Sequence, residues 1–177
     1  MHFLEKGAEF YIAGRIIYYK RCLNVAPLLF HHALEFFMKA VLADFYTLNE
    51  MKSSKFRHDL VKLWRDIKKR NSISENTLDK FIAKFNQIGK TEYPENNGSH
   101  CIPHSFSPQK GSAPTTLGLQ GRGMQFMTWS LEEIDELIAF ICNYINAQPN
   151  AKAFVLMLAS VTKDDAFFKD NQHFIKE

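Results

Sequence analysis

Residues 26 to 46 constrain this chain more than any other stretch. They run from Ala26 to Tyr46 without glycine or proline after Pro27, and they are apolar almost all round. A helix with no polar face has nothing to show water, so it must lie at the centre of a bundle. Pro27 suits the first turn of such a helix, and Asn24 is placed to cap it.

The flanking segments supply the helices to surround it. From Glu5 to Cys22 the residues Ala8, Tyr11, Ile12, Ile16 and Tyr19 recur at helical spacing. Thr47 to Phe56 is polar and reads as a connection. Asp59 caps a third helix with the stripe Leu60, Leu63, Trp64 and Ile67, and Ser74 opens a fourth with Leu78, Phe81, Ile82 and Phe85. That helix must stop before Pro94. Ser130 with Glu133 forms a capping-box pattern ahead of Leu131, Ile134, Leu137, Ile138, Ile141 and Ile145, in a helix ending before Pro149. Lys152 to Val161 is long enough for one more short helix. No segment alternates convincingly as a strand would. The fold class is therefore all-α, an up-and-down bundle of about five helices.

Between Pro94 and Met127 the character changes, with four of the six prolines and five of the eight glycines. This stretch, about 95–128, reads as a long irregular insertion before the last bundle helix. The 177 residues suit a single domain, 1–177, with its core in about 5–95 and 130–148 and a C-terminal extension from about 149. Sixteen phenylalanines predict an aromatic-rich core, and a net charge of +3 permits anionic partners without requiring them. Cys22, Cys101 and Cys142 have no paired spacing, so no disulfide framework is implied and a reducing, cytoplasmic setting is expected. No signal-peptide pattern opens the chain. Ala153 to Val161 is far short of the roughly 20 residues needed to cross a bilayer, so no membrane partner is expected.

The central helix carries an unusual polar seam. On a 3.6-residue period His32, Glu35 and Lys39 fall on one line, with His31 four residues before Glu35. Buried charges must be paired, and Glu35 before Lys39 is the favourable order for an intrahelical pair. Arg15, at the edge of the first helix's apolar face, is a second candidate partner for Glu35. His31 is expected to be packed, with His32 its more exposed neighbour. The next helix adds a basic face of Lys62, Arg65, Lys68, Lys69 and Arg70, the densest positive stretch and the best site for phosphate contacts.

The run His32-Ala33-Leu34-Glu35 with Lys39-Ala40, followed by His58-Asp59-Leu60, resembles the signature of the HEPN domain (higher eukaryotes and prokaryotes nucleotide-binding). Ala13-Gly14-Arg15 and Tyr93-Pro94 sit where that family often has similar elements. The resemblance covers about residues 5–95 plus the helix from 130 to 147. It implies a helical bundle, often a homodimer, tied to nucleotide or RNA chemistry. Many members accompany a nucleotidyltransferase, and others are toxin ribonucleases. The ribonuclease branch uses an arginine followed after four to six residues by histidine, and no arginine here has a histidine at that reach.

Other motifs fall short. Gly89-Lys90-Thr91 lacks the glycine five residues earlier and the preceding strand of a phosphate loop. His100, Cys101 and His104 lack a second ligand pair at zinc-site spacing, so no metal or other cofactor is expected. No catalytic constellation can be assembled from sequence order. The expectation is a non-catalytic HEPN-like module that binds nucleotide or RNA, or acts as partner of a nucleotidyltransferase. Arg15, His32, Glu35, Lys39, His58 and Asp59 would line or brace its cleft, with Lys62, Arg65, Lys68 and Lys69 as phosphate contacts. The alternatives are a divergent, toxin-like ribonuclease using His58 or an insertion histidine, and a structural dimerisation protein.

Overall fold

The computed structural model describes residues 2–22, 24–52, 56, 58–74, 76–91, 104–107, 109–111, 127–146, 150–163 and 165–175. Arg57, Tyr93-Pro94, His100, Cys101 and most of the 95–128 insertion lie outside the described residues. The architecture is an all-α helical bundle. Its elements are α1 (His2–Tyr19), α2 (Ala26–Leu42), α3 (Leu48–Lys52), α4 (Leu60–Arg70), α5 (Thr77–Thr91), β1 (His104–Ser107), β2 (Met127–Ser130), α6 (Leu131–Cys142), α7 (Ala151–Thr162), α8 (Asp165–Phe168) and α9 (Gln172–Ile175).

Thirteen of the seventeen residues of α2 are buried, and α1, α4, α5 and α6 all pack on it. It is the central helix, as its all-round apolarity requires. Its start differs from expectation: Val25, not Asn24, is the N-cap, and no side chain bonds there. Proline in the first turn sets that boundary instead. The first helix stops at Tyr19 rather than Cys22 because Arg21 turns left-handed (φ 62°). Cys22 N–H then reaches back to Ile17 C=O and Arg21 N–H to Tyr18 C=O, closing a Schellman end.

The caps at Asp59 and Ser130 form as expected, accepting from the N–H groups of Lys62 (3.1 Å) and Glu133 (3.4 Å). The connection 47–56 holds a short helix, α3, set by a capping box. Glu50 N–H donates to Thr47 Oγ1 while Thr47 N–H donates to Glu50 Oε2. The fourth predicted helix begins at Thr77, three residues after Ser74.

Two short strands correct the expectation of none. His104–Ser107 pairs in parallel with Met127–Ser130, from His104 opposite Met127 to Ser107 opposite Ser130. Parallel pairing needs a long crossover, and the strands are separated by residues 108–126. Strand β2 places Trp129 against Phe85 (ring centroids 4.8 Å apart) and under the Lys84 ammonium. The C-terminal stretch also packs inward, with Phe167, Asn171 and Phe174 buried. Among the described residues, no helix is long and apolar enough to cross a membrane.

Candidate functional site

Glu35 is the hub of the polar seam and only 2% exposed. Lys39, one turn on, donates from Nζ to Oε1 at 2.6 Å. His58 Nδ1 stands 2.9 Å from Oε2, and His32 Nδ1 lies 3.7 Å from the same oxygen. His58 reaches this position with a left-handed backbone (φ 52°), immediately before the Asp59 cap. That conformation is uncommon outside glycine and is held here by what surrounds it. Burial alone would push the Glu35 carboxyl up. The contacts from His32, Lys39 and His58 reverse this and hold it down at about 2.

His31 is packed and His32 more exposed, with 22% of the His32 side chain open to solvent. The His31 ring is fully buried, stacked along Phe85 at 6.4 Å, and neither ring nitrogen has a hydrogen-bond partner among the described residues. Burial drives its pKa down to about 4, against the pull of Glu35, so it stays neutral. Gly89 makes room for it: a Cβ there would sit 2.8 Å from ring atoms of His31. The glycine that resembles part of a phosphate loop is the close-approach point of α5 on α2.

Arg15 does not reach Glu35. It is fully buried on another side of the bundle, where it pairs with Asp135 of α6 and donates to the Lys169 carbonyl. Tyr11 donates to Asp135 at 2.6 Å, and Asn171 donates to the Tyr11 oxygen at 2.8 Å. Burial lifts the Asp135 carboxyl to about 6 despite the pull of Arg15 and Tyr11. Sequence reasoning missed Asp135, although it interrupts the apolar stripe of α6 as Glu35 interrupts that of α2.

Asp59 sits at the start of α4. Besides capping α4, it lies 3.5 Å from the Asn86 amide, whose oxygen accepts from Leu60 N–H. The basic face divides in two. Lys68 turns to α5, bonding Asp79 at 2.9 Å and Asn76 at 2.7 Å, and Arg70 bonds Asp66 and Tyr46. Lys62, Arg65 and Lys69 instead line a groove of about 290 Å³ with Phe56 and Asp66. Lys62 is 55% exposed and 3.4 Å from Asp59; Arg65 and Lys69 are exposed and make no ion pair among the described residues. Such a groove attracts anions. The buried Cys142 thiol, pushed up to about 12, is unsuited to nucleophilic work. Comparison with family models, curated proteins and solved structures finds no match.

Proposed function

We propose that this protein is a non-catalytic, HEPN-like binding module that takes the phosphates of a nucleotide or RNA along one face of α4. The observation that carries this reading is the groove of Lys62, Arg65 and Lys69 beside Phe56. Two of the three cations lack a carboxylate partner among the described residues, so anion binding need not first break a strong ion pair. Flexible lysines and an arginine fork suit phosphate oxygens, while Phe56, buried against Tyr46, backs the floor of the groove. The Glu35 seam, through His58, ties α2 to the turn before α4, the helix that carries the groove. Service as the partner of a nucleotidyltransferase is compatible with the same surface, and homodimerisation remains part of the proposal.

The experiment is a titration of a short fluorescent single-stranded RNA, and of ATP, with wild-type protein and the Lys62→Glu/Arg65→Glu/Lys69→Glu variant. Wild-type affinity should fall as salt rises. Loss of three phosphate contacts should flatten the logarithmic salt slope by about 2. Equal affinity in wild type and variant refutes the groove as the site.

The Glu35–His58 pair favours a second reading, a divergent ribonuclease with His58 as general base, because an imidazole oriented by a carboxylate is the usual form of such a base. Cleavage of RNA by the wild type, abolished in His58→Ala, would establish it. The binding reading expects intact RNA.

A further inference from the structure

Three imidazoles and one carboxylate converge on the middle of α2, and the pairing of Glu35 leaves one imidazole unexplained. His31 is fully buried, and among the described residues both its ring nitrogens are unbonded. Burying a polar group without a partner is costly, and such groups in native proteins usually meet a protein atom, a water or an ion. One ligand atom each from His31, His32 and Glu35 lie within 4.8 Å of one another. His58, from the turn before α4, brings a fourth donor to 2.9 Å from Glu35 Oε2.

We propose that His31, His32, Glu35 and His58 form a binding site for a divalent transition ion, zinc foremost. The edges of a tetrahedron with metal–ligand bonds of about 2.1 Å are roughly 3.4 Å long. Glu35 Oε2 stands 2.9 Å from His58 and 3.7 Å from His32, and the His31, His32 and Glu35 donors spread over up to 4.8 Å, so the imidazoles must draw inward by side-chain rotation to close the set. Three nitrogens and one oxygen suit zinc and its neighbours, whereas magnesium and calcium take oxygen-rich sets. The two oxygens of Glu35 are already divided: Lys39 holds Oε1, and Oε2 faces the imidazoles. A carboxylate ligand steadied through its second oxygen is a common outer-sphere arrangement. Burial keeps His31 neutral, the form that ligates. Entry is from the side of His32 and His58, whose side chains are 22% and 38% exposed.

The test uses the full chain, stripped of metal by a chelator, then titrated with zinc chloride by calorimetry and with cobalt(II) by visible absorption. One ion per chain is expected, with the intense absorption of tetrahedral cobalt. His31→Gln alters the core, so the partly exposed His32→Gln and His58→Gln carry the decision. Each should weaken zinc binding by at least about 100-fold, the upper range for loss of a mere outer-shell partner, while helicity is kept. Glu132, Glu136 and His173 form a second, half-buried cluster, so His173→Ala serves as the control and should bind as wild type does. Failure of the wild type to take zinc overturns the proposal. So does an octahedral cobalt spectrum, binding unaffected by His32→Gln and His58→Gln, or binding lost in His173→Ala or Cys101→Ala.

Discussion

At Glu35 burial and pairing act in opposite directions, and the balance can be measured. Glu35→Ala strands the Lys39 ammonium, 9% exposed, and removes the acceptor of His58. Breaking one side of a buried pair costs about 3–5 kcal/mol, and urea melts of Glu35→Ala should show a loss of that size. Glu35→Leu with Lys39→Met removes both charges, and the more open His32 and His58 can turn to water. The double variant should therefore recover most of the loss. A single variant as stable as wild type would mean the seam carries little structural weight. His31 gives a pH dependence to the metal-free protein. Its folded pKa of about 4 lies below the unfolded value near 6.5. Between those values the unfolded chain binds the extra proton, so stability is full above pH 6.5 and falls by about 3 kcal/mol as pH drops to 4. Glu35, held at about 2, adds a further loss only below its unfolded value near 4.5. Urea midpoints measured in a chelator from pH 7 to 4 should slope accordingly, and the slope should flatten in His31→Gln.

At the scale of elements, the contact of α1 with α2 depends on glycine at one position more than another. A Cβ on Gly14 would lie 2.7 Å from the ring of Phe30, which is fully buried and cannot yield. A Cβ on Gly7 would lie 3.2 Å from the Phe37 ring, tight but within reach of small adjustments. Alanine gains roughly 1 kcal/mol over glycine inside a helix, while overpacking costs about 1–3 kcal/mol. Gly14→Ala should therefore destabilise and Gly7→Ala should be close to neutral; thermal melts of the two single variants compare them directly. Much at this scale was legible beforehand, because local chemistry decides it. The Asp59 and Ser130 caps and the stripe Leu60, Leu63, Trp64, Ile67 stand where spacing puts them. The Thr47–Glu50 box that begins α3 carried the same signal as Ser130–Glu133 but headed a polar stretch, so it read as connection. Strands of four residues in a glycine- and proline-rich stretch are too short for periodicity to reveal. The seam of His32, Glu35 and Lys39 was visible because it lies within one helix. The convergence of His58 on it was not fixed by spacing, since it depends on a left-handed backbone at residue 58.

For the molecule as a whole, the least legible feature is the polar knot joining α1, α6 and the C-terminal stretch. Helical spacing marks Arg15 as a charge beside an apolar face but cannot say which of many carboxylates will meet it. The partner, Asp135, is 120 residues away. The knot also draws in Tyr11, Lys169 and Asn171, so its strength bears on how firmly the chain's end is held. Its two charges should not respond equally to loss of a partner. Asp135→Leu leaves a fully buried guanidinium that cannot shed its proton, and should cost about 3–5 kcal/mol. Arg15→Met leaves a carboxyl that already titrates near 6 and keeps the Tyr11 hydrogen bond. That carboxyl can accept a proton, so the loss at pH 7 should be smaller. It should shrink further toward pH 5, because a folded-state pKa raised above its unfolded value favours folding as protons are added. Joining Arg15→Met to Asp135→Leu, with Tyr11→Phe to remove the hydroxyl that loses its acceptor, should restore part of the stability, because the buried Asn171 amide gives up the Tyr11 oxygen to which it donates. Urea melts of the singles and the triple variant at pH 7 and 5 measure each of these quantities. Equal losses for the two single variants at both pH values would mean that Arg15 and Asp135 are reached by water in solution, and that the knot does not tie the C-terminal stretch to the bundle.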